Sequence, residues 1–64
     1  MIATTATLEI TNHLGARSRT TWGEFAAANT PVRCHEVDYH LRAFGYWTTG
    51  TPGHDDWASV RRAS

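Results

Sequence analysis

The residues that could do chemistry are four histidines, a single cysteine and an adjacent pair of aspartates. His35 and His40 fall within one helical pattern but are five positions apart. At about 100° per residue that separates them by about 140°, so they do not share a face. A helical metal pair needs a spacing of three or four. His54, Asp55 and Asp56 are contiguous and make at most a weak cation cluster. Asp55 and Asp56 are adjacent rather than facing, so they do not form an acid/base pair of carboxylates. Cys34 shares an apolar stripe with Val37, Leu41 and Phe44, which suits a small buried hydrophobe rather than a nucleophile. Gly50 and Gly53 flank a proline turn that has no lysine, so there is no phosphate-cradling loop. The expectation is a non-enzymatic protein with no catalytic residues, no cofactor and no metal.

Charge carries more information. Six basic residues, all arginine, balance six acids, for a net charge of zero. A DNA-binding domain usually has a basic excess, because phosphate neutralisation supplies much of its affinity. A neutral total can still hide separate acidic and basic faces. The acidic candidates for a partner-binding surface are Glu36 and Asp38 on the outward side of a helix, and Asp55 and Asp56 at a hairpin tip. Trp57 follows the tip as an aromatic anchor. The candidates for nucleic-acid contact are Arg17, Arg19, Arg33, Arg42, Arg61 and Arg62. The lysine-free, Arg-, Ala- and Thr-rich composition fits a GC-rich coding genome.

The elements that must position these residues follow from pattern and punctuation. Thr4 to His13 alternates, with Ala6, Leu8 and Ile10 on one side and Thr7, Glu9 and Thr11 on the other, and reads as a strand. Asn12 to Ser18 is a turn around Gly15, and Arg17 to Thr20 a short return strand. Thr21 to Glu24 fits a capping box for a first helix over Trp22 to Ala28. Gly23 weakens that helix by up to ~1 kcal/mol relative to alanine. Thr30-Pro31 starts a second helix that runs to Phe44, where Gly45 suits the C′ position and Tyr46 could close on Leu41. Tyr46 to Thr49 and Trp57 to Val60 read as a hairpin around Gly50 to Gly53, with Arg61 to Ser64 as a fraying tail.

The fold class is therefore α+β: a two- or three-stranded antiparallel sheet packed on a helix-turn-helix pair, in the order strand, helix, helix, hairpin. The expected core is Leu8, Ile10, Phe25, Ala26, Cys34, Val37, Leu41, Phe44 and Trp47. Trp22 is expected to staple the first helix to it. The 64 residues make one small domain over residues 1–64. A single core of this size supplies only about 3–5 kcal/mol, and one cysteine rules out an internal disulfide, so a homodimer or a partner complex would help it. There is no membrane-spanning run and no basic region ahead of the first apolar stretch, which gives a cytoplasmic setting by default.

Phe25 and Ala26 in the first helix, with Val37, Leu41 and Phe44 in the second, resemble a winged helix-turn-helix that lacks its leading helix. Tyr46 to Trp57 would be the wing. The resemblance implies a DNA-binding transcriptional regulator acting on double-stranded DNA, its second helix in the major groove, Arg33 donating to guanine and Glu36 accepting from cytosine. Asn29-Thr30-Pro31 replaces the family's usual glycine turn. Glu36 and Asp38 face where phosphates would lie, and His54, Asp55 and Asp56 stand where the family places basic residues. Acid in those positions is similar to small phage inhibitors that mimic nucleic acid, anti-CRISPR proteins among them. The first expectation is thus a phage or mobile-element type inhibitor of a nucleic-acid-handling complex. The DNA-binding regulator is the alternative.

Overall fold

The structure is a computed structural model that describes residues 2–63. Its elements are β1 (Thr7–Asn12), β2 (Arg17–Thr21), α1 (Trp22–Ala27), α2 (Pro31–Phe44), β3 (Tyr46–Thr49) and β4 (Ala58–Arg62). The Asn12 carboxamide oxygen accepts from the N–H groups of Leu14 (2.9 Å) and Ala16 (3.0 Å), which folds β1 back onto β2. β2 then runs directly into α1. Thr21 ends the strand and caps the helix, its hydroxyl accepting from the Glu24 N–H at 3.2 Å. The reciprocal half of the capping box differs from expectation: Glu24 Oε1 accepts from the Thr21 hydroxyl at 3.1 Å rather than from its N–H. Thr30 caps α2 in the same way through the Arg33 N–H, Pro31 fills the first turn, and Gly45 closes the helix at φ 88° with its N–H on Leu41 O.

The strands form one antiparallel sheet in the order β2-β1-β4-β3. Four strands replace the expected two or three, because the first hairpin and the last one join edge to edge. β1 pairs with β4 from Leu8↔Arg62 to Asn12↔Ala58. This pairing is long-range and leaves no local trace in the sequence. It also draws Arg61 and Arg62, expected as a fraying tail, into β4; Ser64 lies outside the described residues.

Leu8, Val60 and Trp47 point to the helices and meet Val37 and Leu41 of α2 and Trp22 of α1 in the buried core. Ile2 and Ala6 are buried with them, from a segment ahead of the first periodic strand. Gly23 explains how that segment fits. Its N–H donates to Thr4 O at 2.9 Å, and a Cβ there would sit 3.2 Å from the same oxygen. The residue that weakens α1 thus admits the N-terminal segment. Ile10, Phe25, Ala26 and Cys34 are only half-buried against the core. Phe44 departs from expectation: it is 60% exposed, because α2 ends there and its ring turns to Tyr39 and His40 at centroid distances of 6.3 and 5.5 Å.

Candidate nucleic-acid interface

The alternation of β1 sends Thr7, Glu9 and Thr11 to the face away from the helices. The register then decides which neighbours they meet. Glu9 lies opposite Arg19 of β2 and opposite Arg61 of β4, and Arg61 lies opposite Tyr46 of β3. One row therefore runs Arg19, Glu9, Arg61, Tyr46 across the whole sheet. The neighbouring row runs Arg17, Thr11, Ser59, Thr48. At strand spacings of about 4.8 Å each row spans roughly 14 Å.

This face brings three of the six arginines together with one acid, in a protein of zero net charge. The Glu9 carboxylate stands 4.0 Å from Arg19 Nη2, with the two side chains 17% and 69% exposed. Glu9 is held down against the sheet while the guanidinium reaches into solvent. Arg17 and Arg61 form no ion pair among the described residues. Tyr46 is half exposed at the end of its row.

The other sequence-predicted residues are placed differently. On α2, Glu36 accepts from the Trp47 indole N–H at 3.2 Å, and Asp38 accepts from Arg42 Nε at 3.1 Å one helical turn away. The Asp38 side chain is 16% exposed, and Arg33 sits 5.5 Å over the Trp47 ring. The expected outward face of α2 is corrected in part. Asp38 and His40 are half-buried, while Val32 and Tyr39 stand exposed. His40 uses Nδ1 on the Glu36 carbonyl at 2.8 Å. In the β3–β4 loop, Asp56 Oδ1 accepts from the Thr51 N–H at 3.3 Å and so closes the loop internally. Gly50 is required there: its φ is 79°, and a Cβ would collide with the Asp56 carbonyl and approach Trp57 Cα to 2.9 Å. Asp55 is exposed and forms no ion pair among the described residues, and Trp57 is half-buried. Arg62 falls opposite Leu8, off the row of Arg61. The segment expected as a wing is β3 and its loop; its return strand, β4, is held on both sides inside the sheet.

A groove of about 260 Å³ lies between the end of α2 and β3, lined by His40, Phe44, Tyr46, Trp47 and Thr48. Tyr46 and Thr48 belong to both the groove and the open sheet face. Among the described residues, no three His, Cys, Asp or Glu side chains gather as metal ligands.

No family model, curated protein or solved structure matches the chain. The functional reading therefore rests on geometry. Glu9, Tyr46, Thr11, Ser59 and Thr48 had no place among the sequence candidates. The alternation of Thr7, Glu9 and Thr11 was the available signal, but their neighbours depend on the β1–β4 pairing.

Proposed function

We propose that this protein is a non-enzymatic binding protein that takes a nucleic acid on the open face of its sheet. The observation that carries the reading is the convergence of Arg17, Arg19 and Arg61 on that face, although the chain as a whole is neutral. Guanidinium groups fit phosphate oxygens in a bidentate way and stay charged at any physiological pH. Thr11, Ser59 and Thr48 continue the row of Arg17 as hydroxyl partners for phosphate and sugar, while Glu9 stands between Arg19 and Arg61. The reading keeps a nucleic-acid partner and moves the contact from α2 to the sheet. On α2, Arg33 lies over the Trp47 ring and Arg42 pairs with Asp38, and the acids Glu36 and Asp38 share that helix. A cytoplasmic setting belongs to this reading; no described helix is long and apolar enough to cross a membrane.

The test is fluorescence anisotropy with labelled oligonucleotides across a salt series. Three phosphate contacts give a log–log slope near −2 for a single strand, an affinity loss of about 15-fold between 50 and 200 mM salt. Binding that ignores salt, or no binding at 50 mM, contradicts the proposal.

A second reading is an inhibitor of phage or mobile-element type that presses an acidic surface onto a nucleic-acid-handling complex. Its support is Asp55, exposed and without an ion pair among the described residues, at the loop beside Asp56 and Trp57. The internal uses of Glu36, Asp38 and Asp56 leave it less acid to present. Replacing Asp55 and Asp56 by lysine abolishes inhibition under this reading; full inhibition by the double variant counts against it.

A further inference from the structure

We infer that the nucleic acid bound on the sheet is single-stranded, with its phosphates along Arg17, Arg19 and Arg61 and a base stacked in the aromatic groove at the β3 edge. This rests on the proposed nucleic-acid reading and narrows it to a substrate class.

The first support is the shape of the cationic surface. It is a sheet face, spanning four strands and roughly 14 Å across each row. Most duplex readers insert a helix or a two-stranded ribbon into a groove, although some lay a sheet on the duplex. Here three arginines lie across the open sheet, whereas α2 carries two, Arg33 and Arg42, beside the acids Glu36 and Asp38. A flat platform suits a chain whose bases are already unstacked.

The second support is independent of charge. Phe44 is 60% and Tyr46 51% exposed and both line the groove, and Tyr39, 55% exposed, packs its ring against Phe44. Leu14 and Val32 are exposed as well, but neither lines this groove. The Phe44 ring is already positioned: Tyr39 meets it edge to face at 81°, and His40 is tilted against it at 54°. A base entering the groove meets aromatic surface held in place before it arrives. At about 260 Å³ the groove is just below the roughly 300 Å³ at which small-molecule sites begin, which suits one base and leaves the sugar and phosphate outside.

The third support is continuity. Tyr46 is the residue at which the two features meet. It ends the row that contains Arg19 and Arg61, and it lines the groove. A strand crossing the sheet along that row leaves the arginines and reaches the aromatic corner without changing direction. Backbone charge followed by ring stacking is the chemistry that recognises single strands with little regard to sequence. Deoxyribose and ribose strands share it.

The experiment compares a labelled mixed-sequence single-stranded DNA 12-mer, the RNA of the same sequence and the matching DNA duplex, each by anisotropy at 50 and 200 mM salt. It is run on the full chain and on the Phe44→Ala/Tyr46→Ala variant, with thermal melts of both by circular dichroism. The expected result is single-strand affinity at least about tenfold above duplex affinity, lost by about tenfold or more in the aromatic variant while duplex binding stays level. RNA binding tighter than DNA binding also supports the inference. Duplex binding equal to or tighter than single-strand binding overturns it and leaves the parent reading standing. Unchanged single-strand affinity in a variant that melts like the parent also overturns the base-stacking assignment. No salt-sensitive binding of any probe overturns both. The single-strand to duplex ratio of the unaltered chain decides the matter even where the variant does not fold.

Discussion

Leu8 and Glu9 are consecutive in β1, yet one is fully buried and the other looks across the sheet at two arginines. The same division runs through β4, where Val60 is 2% exposed and Arg61 beside it lies open. It runs through β3 at Trp47 and Tyr46. One face of the sheet meets Val37, Leu41 and Trp22 and holds the protein together. The other carries arginine, hydroxyl and tyrosine and has no helix on it. Both are produced by a side-chain period of two and one register. A shift of a single residue between β1 and β4 would place Arg61 on the core side and Val60 in solvent. The register thus specifies stability and the binding surface together, and the two should respond separately to substitution.

The largest effect belongs to the covered face. Leu8→Ala is expected to cost about 2–5 kcal/mol, comparable with the roughly 3–5 kcal/mol a core of this size supplies. Urea titration followed by circular dichroism should find the variant largely unfolded. A variant that stays folded but loses nucleic-acid binding would erase the distinction between the faces. Next comes Arg19→Ala/Arg61→Ala on the open face. Its salt slope should fall by about 1.4 and its single-strand affinity by about tenfold or more, while stability stays within about 0.5 kcal/mol. Anisotropy and urea titration on the same sample separate the two quantities. The smallest effect sharpens the picture by adding function. Glu9→Gln removes the one acid among the arginines and should tighten single-strand binding about threefold, close to the share of one charge in partly screened water. Weaker binding in that variant would mean that Glu9 serves mainly to aim Arg19.

Much of the local structure was legible in the sequence, because local structure is set by neighbouring residues. Thr30-Pro31 and Gly45 bounded α2 where the helix begins and ends, through a hydroxyl cap, a missing N–H and a left-handed closing residue. Thr21 announced α1 for the same reason. The Leu8/Ile10 alternation gave the inward side of β1. What stayed hidden was long-range. Nothing in Arg61-Arg62 signals a central strand; the pairing partner is β1, at the far end of the chain. Ile2 was invisible because burial of an isolated apolar residue depends on what folds over it. Phe44 misled because its spacing fits the α2 stripe, but the helix ends there and the ring turns to Tyr39 and His40 rather than into the core. The acidic candidates were legible as charges but not as bonds. Glu36, Asp38 and Asp56 spend their oxygens inside the fold, on Trp47, Arg42 and the Thr51 N–H. The arginine row across the sheet needs both hairpins docked before it exists.

The measurement closest to the central claim is an amide chemical-shift map of the ¹⁵N-labelled protein titrated with the single-stranded 12-mer. The account predicts that the largest shifts follow Arg17, Arg19, Arg61, Tyr46 and Thr48 across the open face, with the Glu36 to Asp38 stretch of α2 and Asp55 little changed. Shifts concentrated on α2 or on the β3–β4 loop, with the sheet face silent, would contradict it.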